Sequence, residues 1–173
     1  MMLEILAAFV AGVAAAGIAL ALRAMTRGRL PGWIVPAAAG AGIIGFAIWS
    51  EYDWERRARA GLPPGFVVAE AIAERSPLRP WTYAVPLVTR MLVVDLNATA
   101  RHPVAGDLVL TRVFGIARWE TNREWQVVLD CARSLRVNVT GGIVVSDAGA
   151  LTGGAWSAVA PDDAVLRTAC DGG

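Results

Sequence analysis

Two apolar stretches separated by a basic, proline-containing joint constrain this chain more than anything that follows them. Residues 2–22 (MLEILAAFVAGVAAAGIALAL) carry one carboxylate, Glu4, near their start, and residues 32–49 (GWIVPAAAGAGIIGFAIW) carry no charge. A bilayer core of about 30 Å needs roughly 20 apolar residues as a helix. The first stretch meets that length, and the second meets it with its ends at headgroup level. Between them stand Arg23, Arg27 and Arg29, closing on Pro31. The pattern predicts a two-helix transmembrane hairpin over residues 1–60, with spans at 2–22 and 32–49 and a surface helix extension beyond.

Basic residues near span ends favour the cytoplasmic side. The joint holds three arginines and no acid, and the segment before the first span holds no base. The joint is therefore expected in the cytoplasm, with both termini outside. Arg56, Arg57 and Arg59 oppose this, mixed with Glu51, Asp53 and Glu55. Long domains translocate largely regardless of charge, and the cysteine usage favours an oxidising compartment. The C-terminal domain is thus expected in the periplasm of a bacterial inner membrane. A cleaved signal would need a basic n-region and a shorter apolar core. This chain begins Met-Met-Leu-Glu, so retention of the first span is expected.

Small residues recur at four-residue spacing within the spans: Gly12 and Ala16, Ala38 and Gly42, Ala41 and Gly45. Such rows let helix backbones approach closely, either within the hairpin or against a larger membrane partner, and are compatible with a homo-oligomer. Trp33 and Trp49 bracket the second span as interfacial anchors do. Residues 50–61 continue that helix along the membrane surface, with Tyr52 and Trp54 near the headgroups and Asp53/Arg57 at i,i+4 spacing. Residues 61–65 (GLPPG) form a stiff linker.

Composition excludes several chemistries. All 16 basic residues are arginine, so no Schiff-base lysine, Walker lysine or Ser–Lys dyad exists. His102 is the single histidine. That rules out a multi-histidine metal site, and no GxSxG elbow supplies a nucleophile for His102 to activate. A net charge of +1 argues against a nucleic-acid partner. No catalytic residue, metal or cofactor is expected.

Residues 66–173 read as a mainly antiparallel β-domain, a small sandwich or barrel, with a C-terminal helix. Strands are expected at 66–74, 87–96, 107–118, 125–132, 134–140, 143–146 and 155–159, with a hairpin turn at Gly141 and Gly142. Three prolines make 76–86 an irregular crossing, and 97–106 and 147–154 read as turn-rich. The helix covers 164–170, capped by Asp162. No βαβ alternation appears, which argues against a Rossmann or P-loop fold.

Cys131 ends one strand and Cys170 ends the last helix. In an oxidising compartment the two read as one structural disulfide. The rival reading, a reactive thiol, is opposed by Asp130 and Asp171, which disfavour a thiolate beside them.

Residues 128–132 (VLDCA), 153–163 (GGAWSAVAPDD) and 166–170 (LRTAC) resemble small secreted bacterial β-domains of the surface-adhesin E-like type. The resemblance implies an extracytoplasmic β-domain with its two cysteines paired, and no catalytic residues. Members of that family carry a signal or lipid anchor, whereas this chain carries a hairpin. The whole architecture is similar to two-span alphaproteobacterial membrane proteins, which adds no activity.

Arg75 and Arg79 near Trp81 and Tyr83, and Trp119 and Trp125 flanking a polar turn, are the interaction candidates. Their bland alternatives are solvated arginines and core aromatics. Three functions fit the sequence. The first is a non-enzymatic accessory or assembly subunit of a larger respiratory, photosynthetic or secretory membrane complex. The second is a tethered ligand-binding or sensory domain, and the third a thiol oxidoreductase.

Overall fold

The computed structural model describes residues 2–139, 144–146 and 150–172. The chain forms two compact units, Met1–Arg56 and Arg57–Gly173. In the first, α1 (Met2–Met25) and α2 (Ile34–Ala60) are both long and apolar enough to cross a membrane. At 1.5 Å per residue, α1 extends about 36 Å. As expected, α2 runs on past Trp49, and it crosses the boundary between the units.

The hairpin is sealed by glycine. A Cβ at Gly42 would stand 2.8 Å from both the Ala11 carbonyl oxygen and the Ala15 Cβ, and one at Gly12 only 2.7 Å from Ile43 Cγ1. Ala16 and Ala38 are half-buried beside this seam. Ala41 and Gly45 are exposed, and nothing lies within 4 Å of a Cβ built at Gly45. Many large apolar side chains are exposed instead: Leu3, Ile5, Phe9 and Ile44, as are Trp33 and Trp49. Trp54 is buried, in contrast to those two tryptophans. Asp53 pairs with Arg56 at i,i+3, 2.6 Å.

The second unit is an antiparallel six-stranded curled sheet, a half-barrel, with a C-terminal helix. Its strands are β1 (Phe66–Glu74), β2 (Leu87–Arg101), β3 (Leu108–Ala117), β4 (Arg123–Asp130), β5 (Leu135–Val139) and β8 (Ser157–Ala158), adjacent in that order. β6 (Val144–Val145) pairs with β7 (Leu151–Thr152) in a separate ribbon. β5 thus takes β8 as its outer partner, through Leu135↔Ala158 and Arg136↔Ser157. The expected hairpin turn at Gly141 and Gly142 lies outside the described residues.

Period-2 alternation sends Val94 of β2, Val109 and Val113 of β3, and Val127 and Leu129 of β4 to one face. There they meet Val165, Leu166 and Ala169 of α3 (Ala164–Gly172) in the core. Positions i, i+1 and i+4 give this short helix its single buried stripe. Its N-cap is Asp163, one residue beyond the expected Asp162: the Leu166 N–H donates to Asp163 Oδ1 at 2.9 Å. At the other end Arg101 donates to the Cys170 carbonyl. Cys131 and Cys170 sulfurs stand at disulfide distance, 1.99 Å, across 39 positions of sequence.

The long strand β2 runs through the segment expected as a turn. It does so by a bulge: Asp95 pairs with Arg112 and Ala100 with Leu110, leaving residues 96–99 opposite Thr111 alone. Buried Asp95 holds the bulge. Its Oδ1 accepts the Asn97 N–H at 3.0 Å, its Oδ2 the Arg112 guanidinium at 2.8 Å, and its carbonyl the Thr99 hydroxyl at 3.0 Å. The linker is tied to the same bulge. Leu96 N–H donates to Gly65 O and Asn97 Nδ2 to Pro64 O, each at 2.8 Å. Gly65 is required there, since it sits at φ +86° and a Cβ would collide with the Asn97 amide.

Two outcomes are expected. Gly42→Leu, which forces backbone apart, destabilises the hairpin by about 1–3 kcal/mol in mild-detergent thermal unfolding, whereas Gly45→Leu changes it by less than about 0.5 kcal/mol. Reducing the Cys131–Cys170 pair lowers the stability of the β-domain by about 4 kcal/mol in urea titration, the loop-closure value for a loop of this size.

Candidate functional site

Two adjoining clefts open at the end of the sheet where β1 leaves and β3 turns into β4. The first, about 330 Å³, is lined by Glu74, Ser76, Arg79, Thr82, Thr89 and Trp119, among others. The second, about 320 Å³, is lined by Ile72, Leu92, Gly115, Arg123 and Trp125. Arg90, Ala117 and Glu120 belong to both and form the wall between them. These volumes lie at the lower end of the range for small-molecule sites.

The floor of the first cleft is built by the proline-rich crossing. Ser76 and Arg79 bridge each other, and the Arg79 N–H donates to Ser76 O at 2.9 Å. Pro80 then opens a 3₁₀ turn, Pro80–Tyr83, whose fixed φ suits that position. Thr82 is buried inside it. Its hydroxyl accepts the Ser76 N–H at 2.9 Å and donates to Arg79 O at 2.7 Å. One hydroxyl therefore satisfies backbone groups on both sides of an otherwise irregular segment.

The dividing wall is an ion pair, Arg90 Nη2 to Glu120 Oε1 at 3.2 Å, with each side chain about half exposed. Its energetic worth is small, and its consequence is geometric: it separates the clefts. Behind it the Thr89 hydroxyl is buried without a hydrogen-bond partner among the described residues. Such a group favours an incoming donor or acceptor. The Arg118 guanidinium lies 4.8 Å from the ring centroid of Trp119, a cation–π arrangement. In the second cleft the Trp125 ring covers Gly115, where a Cβ would stand 3.2 Å from Cζ3.

The structure brings Arg79 and Trp119 into one cleft and Trp125 into its neighbour. Arg75, Trp81 and Tyr83 are exposed on the crossing and line neither cleft. Sequence reasoning missed Thr82, Thr89, Arg90 and Glu120. Thr89 and Arg90 left a visible trace as the polar interruption of an apolar strand, but nothing in the sequence paired Arg90 with a glutamate 30 positions away.

Elsewhere, His102 Nδ1 accepts backbone N–H groups of Val104 and Ala105, at 3.3 and 3.0 Å. The ring closes the β2–β3 turn, and that nitrogen is occupied. Among the described residues no group of three or more His, Cys, Asp or Glu side chains is placed to hold a metal ion. The clefts offer guanidinium, carboxylate and hydroxyl groups beside indole surface, a set suited to binding by hydrogen bonds and stacking.

Comparison of the chain with protein-family models, curated proteins and solved structures finds no match.

Thr82→Val keeps the shape but strands the Ser76 N–H. Thermal denaturation is expected to show a loss of about 1–3 kcal/mol, and Trp119 fluorescence should shift as the cleft floor loosens.

Proposed function

We propose that this protein is a non-enzymatic, membrane-anchored accessory or assembly subunit of a larger bacterial inner-membrane complex. In this reading the hairpin lies in the bilayer, the arginine joint faces the cytoplasm, and the β-domain caps the complex on the periplasmic side. The complex is respiratory, photosynthetic or secretory in kind. The observation that carries the reading is the inside-out hairpin. Glycine and alanine occupy the seam, while Leu3 is 81% and Ile44 60% exposed. A helix pair built for water buries its large side chains and exposes polar ones. Exposed apolar surface of this extent marks a lipid or protein interface.

The non-enzymatic part draws support from how the scarce reactive groups are used. The single histidine closes a turn, and the two cysteines stand at disulfide distance. A periplasmic setting agrees with that cysteine pair and with the acid-free joint. Purification of the full chain through a C-terminal tag in mild detergent tests the reading. It predicts a stoichiometric membrane-protein partner, and a lone monomer would count strongly against it.

A second reading, a tethered ligand-binding or sensory domain, is favoured by the twin clefts with their indole and guanidinium walls. It predicts that a bound small molecule protects Trp119 and Trp125 fluorescence from quenching by iodide. Unchanged quenching across an aromatic and carboxylate ligand panel would remove it.

A further inference from the structure

We propose that the groove between α1 and α2 binds one anionic phospholipid, with an acyl chain laid along the helices and the headgroup phosphate held by the joint arginines. The inference rests on the membrane reading above. The groove, about 360 Å³, is lined by Ala15, Ala19 and Leu22 of α1 and by Leu30, Ala38 and Gly42 across from them. The side chains of Ala15, Ala19 and Ala38 stop at Cβ, so the helices that touch at Gly12 and Gly42 leave an apolar channel between them, flanked by Ile18 and Ile34. From Ala15 to Leu22 it runs about 10 Å along α1.

Its lining residues Leu22 and Leu30 adjoin two of the joint arginines in sequence. Arg23 follows Leu22 in sequence, and Arg29 precedes Leu30. The Arg23 guanidinium crosses the joint, for a Cβ at Gly32 would lie 3.6 Å from Arg23 Nη1. Arg27 sits in the left-handed region, φ 53°, at the helix-closing position where glycine fits better. The closure is complete around it: Arg27 N–H donates to Ala24 O at 3.0 Å and Gly28 N–H to Arg23 O at 2.9 Å. Residues 23–33 contain three arginines and no acid of their own.

An apolar channel next to an acid-free joint with three arginines matches an amphiphile with an anionic head. A partner helix would fill the channel and leave the arginines unexplained. A soluble anion would do the reverse.

The test uses the full chain in vesicles of phosphatidylethanolamine with a minor fraction of phosphatidylglycerol. After extraction into mild detergent, native mass spectrometry reads which lipid stays bound. One phosphatidylglycerol per chain is expected. Changing Arg23, Arg27 and Arg29 together to Gln should weaken that preference by about fivefold per arginine, and the triple Lys variant should keep it. Ala38→Leu, which fills the channel, should release the lipid with all three arginines intact. Circular dichroism verifies that each variant stays helical. Equal retention of the two lipids, or full preference in the Gln variant, overturns the proposal, as does a photo-crosslinker at position 38 that captures a polypeptide. Alkaline carbonate separates the two levels of inference. A chain stripped from vesicles sinks the membrane reading itself; a chain that resists stripping but shows no lipid preference sinks only the lipid site.

Discussion

The β-domain depends on a mismatch in strand length that one buried carboxylate holds open. Four residues of β2 face a single residue of β3, and four unpaired backbone units inside a sheet are not tolerated without substitutes. The Asp95 carboxylate accepts the Asn97 N–H and the Gly65 carbonyl accepts the Leu96 N–H, while the Thr99 hydroxyl donates to the Asp95 carbonyl. Arg112, reaching on to Glu124 at 3.5 Å, compensates the charge that burial would otherwise make costly. A bulge of this size bends its strand and raises local twist. The sheet therefore curls, and α3 fills the trough that the curl creates. The bulge also fixes the far end of that helix: Leu96 packs where a Cβ at Gly172 would lie 3.0 Å away, and Arg101 bonds the Cys170 carbonyl. Cys170 is in this way delivered to Cys131.

The two units follow opposite packing rules. In the β-domain, valine, leucine and methionine are inside, with Met91, Val93, Val94, Val109, Val127 and Leu129 fully buried. Where the two helices approach most closely, Gly12 and Gly42 face Ile43, Ala11 and Ala15, and many of the large side chains of α1 are exposed. Burial of large apolar groups is favourable only against water. In lipid that gain vanishes and close backbone approach takes over, which small residues permit. The two units thus differ in the residues they bring together, small at the closest helix approach and large in the β-domain core.

Several elements were legible because they depend on neighbours in sequence. The extent of β1, the continuation of α2 past Trp49, and the existence of α3 all follow from period or composition over a short window. β2 was read too short because Asn97, Ala98 and Thr99 carry turn chemistry. That chemistry is present, and it acts inside the strand as a bulge. The partner of β5 was misread for a related reason. A Gly-Gly pair signals a local hairpin, whereas the pairing with Ser157 and Ala158 is made across more than twenty positions. The candidate site was visible only in part. Its aromatics and Arg79 stand out in sequence, but Thr82, Arg90 and Glu120 acquire meaning only from the groups they face.

What the sequence by itself determined is the division into an apolar hairpin and a cystine-bearing antiparallel domain, since helix length, alternation and cysteine count are properties of the chain alone. Tertiary structure alone decided that six strands form a curled sheet packed on the C-terminal helix, that its end splits into two clefts, and that Gly12 and Gly42 stand where a Cβ would collide with the facing helix. Each of these turns on a distance between residues remote in sequence. Such distances are set by the sum of many weak contacts, which no single window of the chain contains.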